Sequence, residues 1–219
     1  MSQALYLVLG ASGHGTVIAD ALPPGSILGF LDDAEDCPLL PAGLRRIGAF
    51  RDLASVARSE PGVQLVVALG DNALRERVVR SVRAEQPTLR FATVVHPSAS
   101  VSSSATLGPG SVVCAGAVVG PGAKVGAHAI INTRASLDHQ AELADFASLA
   151  PASATGGTVR IGMRSHVGMG AMVHHGIFVG GDVVIGSLSL VDRNLPDRVV
   201  AVGIPARVVR TREPGERYL

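Results

Sequence analysis

The stretch INTRASLDHQAELADFASLA, residues 131–150, carries large aliphatic residues at Ile131, Leu137, Leu143 and Leu149, six apart. That interval is too long for a strand, whose side chains alternate with period 2, and out of step with the 3.6 of a helix. Working outward, every sixth residue from Val95 to Val191 is aliphatic except Thr155, and the register never slips. Four places after each aliphatic stands a mostly small residue, such as Ala117, Ala123, Ala129, Ala135 and Ala141. The residue just after it is repeatedly glycine (Gly108, Gly120, Gly126, Gly156, Gly162, Gly168, Gly180, Gly186) or Asn132, Asp138 or Asp192. A hexapeptide period predicts a parallel β-helix, in which short strands stack coil on coil and each buries its aliphatic residue in a continuous core. Three hexads close a triangular coil, and equivalent residues one coil apart are expected about 4.8 Å from each other. The glycines and Asn/Asp residues are expected to turn the corners with positive φ. Periodicity does not give the hand of the coil, and general crossover rules favour the right-handed form.

Upstream the rhythm is different. LYLVLG, HGTVIADAL, ILGFLD, FRDLASVARS, VQLVVAL, NALRERVVRSVRAEQ and FATVV alternate strand-like and helix-like segments, which predicts a small parallel α/β sheet. The organisation expected is an α/β domain over 1–92, a β-helix over 93–208 and a polar C-terminal tail over 209–219. Arg75, Arg77, Arg80 and Arg83 on the last helix of the first domain are expected to form a solvated face.

Composition narrows the function. Lys plus Arg is 19 against 18 Asp plus Glu, so there is no basic field for nucleic acid or an anionic membrane. Cys37 and Cys114 match no metal spacing and form no disulfide framework, which suits a reducing cytoplasm. The N-terminal apolar run turns to glycine early and reads as a first strand rather than a signal peptide, and no run is long enough to span a bilayer. With 26 glycines and 3% aromatics, the core must be narrow and filled by small and branched side chains.

In LYLVLGASGHG a strand runs into a glycine-rich turn and a helix, an arrangement that offers backbone N–H groups to phosphate. The spacing Gly10, Gly13, Gly15 is not that of the dinucleotide fingerprint. Gly10, Ser12, Gly13, His14 and Gly15 from this turn are candidate substrate-binding residues. So are Asp32 and Asp33 after the second apolar run, and Gly70, Asp71 and Asn72 after a later one, because open parallel sheets bind ligands at the carboxyl ends of their strands.

Taken together, GASGHG, FLDD, the long hexad run and the closing GIPAR (Gly203 to Arg207) resemble the bacterial nucleotide-sugar N-acetyltransferases and sialic acid O-acetyltransferases, a subfamily of the hexapeptide-repeat acyltransferases. The resemblance implies a Rossmann-like α/β domain for the sugar nucleotide, followed by a left-handed β-helix that takes acetyl-CoA as donor. It also implies a homotrimer with sites between subunits.

His139 lies two places past Leu137, where a side chain of a β-helix corner faces outward. By resemblance it is the general base, next to Gln140, with Gly157 one coil further on giving its N–H to the thioester oxygen. A histidine near pKa 6.5 can accept a proton from an amine at cellular pH. Where the family often has glutamate after the histidine this chain has Gln140, and where some members have a second histidine it has Ser148. The uncharged Gln140 suggests an amine acceptor rather than an alcohol. His175, Gly176, Gly203, Ile204, Pro205 and Arg207 are candidate contacts for acetyl-CoA, with Arg210 a further basic residue near them.

No metal is expected. The γ-class carbonic anhydrases use a similar β-helix with three histidines gathering zinc across a subunit interface; His139 and His175, two coils apart and about 10 Å by strand spacing, resemble two of these, but Gly180, five residues past His175, stands where that resemblance implies the third. His96 and His128 read as structural or solvated, and His166 is open. The reading is therefore a cytoplasmic N-acetyltransferase acting on a UDP- or GDP-linked 4-amino-4,6-dideoxy sugar. The alternatives are a sialic acid O-acetyltransferase or a non-catalytic sugar-nucleotide-binding protein.

Overall fold

The computed structural model describes residues 4–218. The first part is a five-stranded parallel sheet. In chain order its elements are β1 (Tyr6–Leu9), α1 (Gly13–Ala21), β2 (Ile27–Leu31), β3 (Arg46–Gly48), α2 (Leu53–Ser59), β4 (Gln64–Val67), α3 (Asn72–Glu85) and β5 (Arg90–Phe91). The strand order β3-β2-β1-β4-β5 reverses direction between β1 and β4. The loops after those two strands flank the crevice where such sheets take ligands. The short β3 is an element the sequence pattern did not reveal. FATVV is divided: Arg90–Phe91 pairs with β4, whereas Val94–Val95 pairs with Val112–Val113.

From Val94 the chain winds as a β-helix with three faces of two-residue parallel strands. The first face carries 94–95, 112–113, 130–131, 148–149, 166–167 and 184–185, the second runs from 100–101 to 190–191, and the third from 106–107 to 178–179. The aliphatic column points inward as expected: Leu137, Leu143 and Leu149 are at most 1% exposed. Burying each such side chain contributes about 1.5–3 kcal/mol. The column four places on is also sealed, with Ala117, Ala129 and Ala147 buried beside Ser111, Ser153 and Ser165.

The corners correct one expectation. Positive φ falls not on the glycines just after the aliphatics but two residues later, on His128, Arg134, Gln140, Phe146 and Thr158 among others. Those glycines serve close approach instead. A Cβ on Gly120 would lie 2.7 Å from the backbone nitrogen of His139 in the next coil, and one on Gly126 would lie 2.5 Å from that of Asp145. Coils at strand spacing leave no room there for a side chain.

The α/β domain packs on the first face. Val94, Val112, Cys114 and Ile130 join one apolar cluster with Val8, Ala11, Ile18, Phe30 and Val66. Here the predicted solvated arginine face fails, because Arg75 is 1% exposed. Its guanidinium donates to the carbonyls of Leu69, Gly70, His128 and Phe146 and to Asn72 Oδ1, at 2.7–3.1 Å. Burial lowers its pKa to about 10, so it remains a cation locked among carbonyl oxygens. Glu76 extends the junction: it bonds Arg80 and Arg164, and Arg164 in turn grips Asp182.

The predicted polar tail also differs. The chain after residue 203 forms a second strand, Ala206–Thr211, antiparallel to Val199–Gly203. Arg212 is buried and donates to the carbonyls of Asp182 and Glu216. The tail brings Tyr218 back to the domain junction, where its hydroxyl accepts from the Asn72 N–H at 3.2 Å. Its sequence is polar, yet its arginine and tyrosine are the groups that dock.

Candidate active site

The corner between the second and third faces brings 138–140, 156–158 and 174–176 into one column. His139 is exposed there, with its backbone N–H donating to Asp138 Oδ1 at 2.6 Å and its Nδ1 3.4 Å from Gln140 Oε1. Its ring lies against Gly157, where a Cβ would stand 2.2 Å from Cε1 and Nε2. The Gly157 N–H has no partner among the described residues. Because His139 leans over Gly157, its ring centroid is 6.0 Å from that of His175, closer than two strand spacings. Thr158 Oγ1 lies 3.4 Å from His175 Nε2, and the Gly176 N–H donates to the Gly157 carbonyl at 3.0 Å. At the C-terminal end of the same column, Arg207 donates to Asp192 at 3.1 Å, which sets the Gly203–Arg207 turn above this corner. Ile204 at the tip of that turn is exposed, as are Met172 and Phe178 on the flanking faces. Arg210 pairs with Glu216.

The glycine-rich turn lies elsewhere. Gly10 has φ 109°, and a Cβ on it would be 2.8 Å from the Ala68 carbonyl, so the loops after β1 and β4 touch. A Cβ on Gly15 would strike the Gly10 carbonyl at 2.6 Å, whereas one on Gly13 would meet Leu39 Cδ1 at an ordinary contact of 3.9 Å. Ser12 precedes α1 without a side-chain cap, which leaves the first-turn N–H groups facing the crevice. Asp32 is largely occupied: its Oδ2 accepts from the Ala11 N–H at 2.7 Å and its Oδ1 from the Ala34 N–H at 2.9 Å. Asp33 accepts from the Phe50 N–H, and Asp71 caps α3 at the Leu74 N–H. Asn72 is buried with its amide donating to the carbonyls of Arg164 and Ser165, so its side chain joins the two halves of the molecule.

Between this turn and the first face is a cavity of about 240 Å³ lined by His14, Gly70, Ile130, Ser148, His166 and Met169 among others. His14 Nε2 is shielded and has no hydrogen-bond partner among the described residues. His166 Nδ1 is 2.8 Å from Ser148 Oγ, and the ring lies against that of Tyr218, centroids 4.5 Å apart and planes tilted by 33°. Burial, then the charge of Arg75, lowers both His14 and His166 to about 4, so both imidazoles are neutral near pH 7. The docking of Tyr218 was not legible in the sequence. Ser148 and His166 share a face by being 18 apart, but nothing in the repeat brings the tail to them.

Among the described residues, no group of three or more His, Cys, Asp or Glu is placed to hold a metal ion. No helix among them is long and apolar enough to cross a membrane.

Residues 6–82 match the PglD N-terminal domain family. Over both parts of the molecule, GDP-perosamine N-acetyltransferase from Caulobacter crescentus, solved as a histidine-to-alanine variant with CoA and GDP-perosamine, is 33% identical. The match covers 94% of this chain and 97% of that one, with a TM-score of 0.87. This chain belongs to the hexapeptide-repeat nucleotide-sugar N-acetyltransferases. Within that family, the acetyltransferase domain of PglB from Neisseria gonorrhoeae, solved with acetyl coenzyme A, is 32% identical. That match covers 95% of this chain and 100% of that one, with a TM-score of 0.85. WeeI from Acinetobacter baumannii, at 20% identity and a TM-score of 0.83 over 94% of this chain and all of its own, has the same fold. No curated protein sequence matches the chain.

Proposed function

We propose that the protein transfers acetyl from acetyl-CoA to the amino group of a UDP- or GDP-linked 4-amino-4,6-dideoxyhexose, in the cytoplasm. The observation that carries this reading is the outward imidazole of His139 seated on Gly157, whose N–H is unpaired. As the amine attacks the thioester carbonyl, His139 takes the amine's proton and the Gly157 N–H holds the oxyanion. Collapse passes the acetyl group from sulfur to nitrogen, and the departing thiolate of CoA takes the proton from His139. Asp138 spends Oδ1 on the His139 backbone, and the oxygen nearest Nδ1 is the uncharged amide oxygen of Gln140 rather than a glutamate carboxylate, which suits an amine better than a hydroxyl.

The donor's path follows the same corner. From His139 past Gly157 and His175 to the level of Asp192 and Arg207 is three coil rises, about 14 Å, a length an extended pantetheine arm spans. Met172, Phe178 and Ile204 give that path apolar flanks, and Arg207 is the basic residue at its far end.

The acceptor's nucleotide belongs in the crevice formed by Gly10, Ser12, Gly13, His14 and Gly70. That crevice lies over the first face, and His139 lies on the corner across the coil from it. An acceptor held there meets the His139 of a neighbouring chain rather than its own, which supports a homotrimer with sites between subunits. The test is CoA release from acetyl-CoA with UDP-linked and GDP-linked 4-amino-4,6-dideoxy sugars and with free sialic acid. Turnover confined to one nucleotide amino sugar is expected, and turnover confined to sialic acid refutes the reading.

A further inference from the structure

Thr155 is the one break in the aliphatic column, and the ladder breaks at the same place. In neighbouring coils the residue after the aliphatic donates its N–H to the aliphatic's carbonyl one coil on: Gly120 to Leu137 at 2.8 Å, and Gly156 to Val173 at 2.8 Å. Asp138 should donate to the Thr155 carbonyl by the same rule. It donates to the Thr155 hydroxyl instead, at 3.2 Å. The strand pairing records the same lapse, since Ser136 pairs with Ala154 but Leu137 has no pairing with Thr155. Thr155 is only 5% exposed, so this hydroxyl sits in the wall of the core, beneath the corner that carries His139.

We propose that Thr155 is a positioning residue for acetyl transfer: its hydroxyl ties the 138–139 turn to the 156–157 turn and so fixes His139 relative to the Gly157 N–H. The inference rests on the roles given to His139 and Gly157 above. The chain of contacts is short. Thr155 Oγ1 holds the Asp138 N–H, Asp138 Oδ1 holds the His139 N–H, and the His139 ring rests on Gly157, two residues past Thr155. An aliphatic at 155 would pack the core equally well but would offer no acceptor, leaving Asp138 to seek the carbonyl and shift the turn above it. Base and oxyanion donor lie on different coils, so a small slip between those coils misaligns them, and misplacements of about 1 Å cost large factors in rate.

The experiment compares Thr155→Val, which restores the column, with Thr155→Ser, which keeps the hydroxyl, in the full-length protein. The readouts are kcat and KM with acetyl-CoA and the nucleotide-linked 4-amino-4,6-dideoxy sugars, the thermal midpoint, and exchange of the Asp138 amide with deuterium. Thr155→Val is expected to lower kcat about tenfold, the loss of one hydrogen bond's worth of alignment. KM for the acceptor and the thermal midpoint should barely move, and the Asp138 amide should exchange faster. Thr155→Ser should recover most of the rate. In a His139→Ala background the Val substitution should have no further effect.

Wild-type kcat in Thr155→Val overturns the proposal, as does an equal loss in Thr155→Ser or an undiminished effect in the His139→Ala background. Should His139→Ala itself keep the wild-type rate, the assignment of the base fails separately. The Asp138 amide then decides the structural half of the inference, faster exchange in Thr155→Val supporting it and unchanged exchange refuting it.

Discussion

His128 and His139 lie on the same β-helix, eleven residues apart, and have opposite surroundings. His128 falls on the third residue after its aliphatic, with φ 55°, at the corner that α3 covers. It is 1% exposed, edge-on to Phe91 at 4.7 Å and stacked on Phe146 at 5.2 Å, and neither ring nitrogen has a hydrogen-bond partner among the described residues. His139 falls on the second residue of the next corner but one, is exposed, and is covered by no element among the described residues. The repeat sets the direction in which a corner residue points, and a neighbouring element decides whether that direction leads into solvent or into a core. A histidine in a hexad is therefore a site or a spacer according to what stands opposite it.

The largest effect that sharpens this contrast is expected at the open corner. His139→Ala should lower kcat by about 10²–10⁴-fold, the contribution of a general base, with the thermal midpoint unchanged because the ring is exposed. A loss of stability with activity intact would reverse the roles of the two corners.

At the covered corner the next largest effect is on stability. Arg75→Ala strands the carbonyls of Leu69, Gly70, His128 and Phe146 and should cost about 3–5 kcal/mol in urea unfolding. A silent substitution would mean that the junction does not depend on this cation.

His128 gives the junction a pH dependence of known sign. Burial, then the charges of Arg83 and Arg75, lowers its pKa to about 4. In the unfolded chain it titrates near the usual 6.5, so between those values the unfolded state binds a proton that the folded state refuses. Stability is therefore expected to fall as the pH drops from about 6.5 to about 4, by about 3 kcal/mol from this group, and to lose nothing more from it below that. His14 and His166 act in the same direction. His128→Phe should flatten the slope of unfolding midpoint against pH, and an unaltered slope would show that His128 is not its source.

The smallest effect returns to the open corner. Gly157→Ala puts a methyl group where the His139 ring lies, displacing the base while retaining the N–H. It should lower kcat about a hundredfold without moving the thermal midpoint.

The outward place of His139 was legible because it follows from counting two residues past an aliphatic, and a two-residue strand leaves little freedom at a corner. Thr155 was legible only as an irregularity in the column; its meaning required the hydroxyl, the amide of Asp138 and the failed pairing to be seen together. The loops after β1 and β4 could be recognised from glycine and position, yet Asp32 and Asn72, equally well placed in the sequence, spend their side chains on Ala11, Ala34, Arg164 and Ser165. Helical spacing put Arg75 among other arginines, and it gave no sign that this one faces the β-helix.

By itself the sequence determined the β-helix, its register, the inward column and the corner on which His139 stands, because these depend on contacts between residues at fixed separations. Only the tertiary structure decided that the α/β domain covers the first face, that Arg75 and Tyr218 close the junction, and that the glycine-rich turn and His139 of one chain face different sides of the coil. Those features join residues whose separation follows no period, and their energies come from desolvating carbonyls, imidazoles and a guanidinium against particular partners, which a one-dimensional pattern does not record.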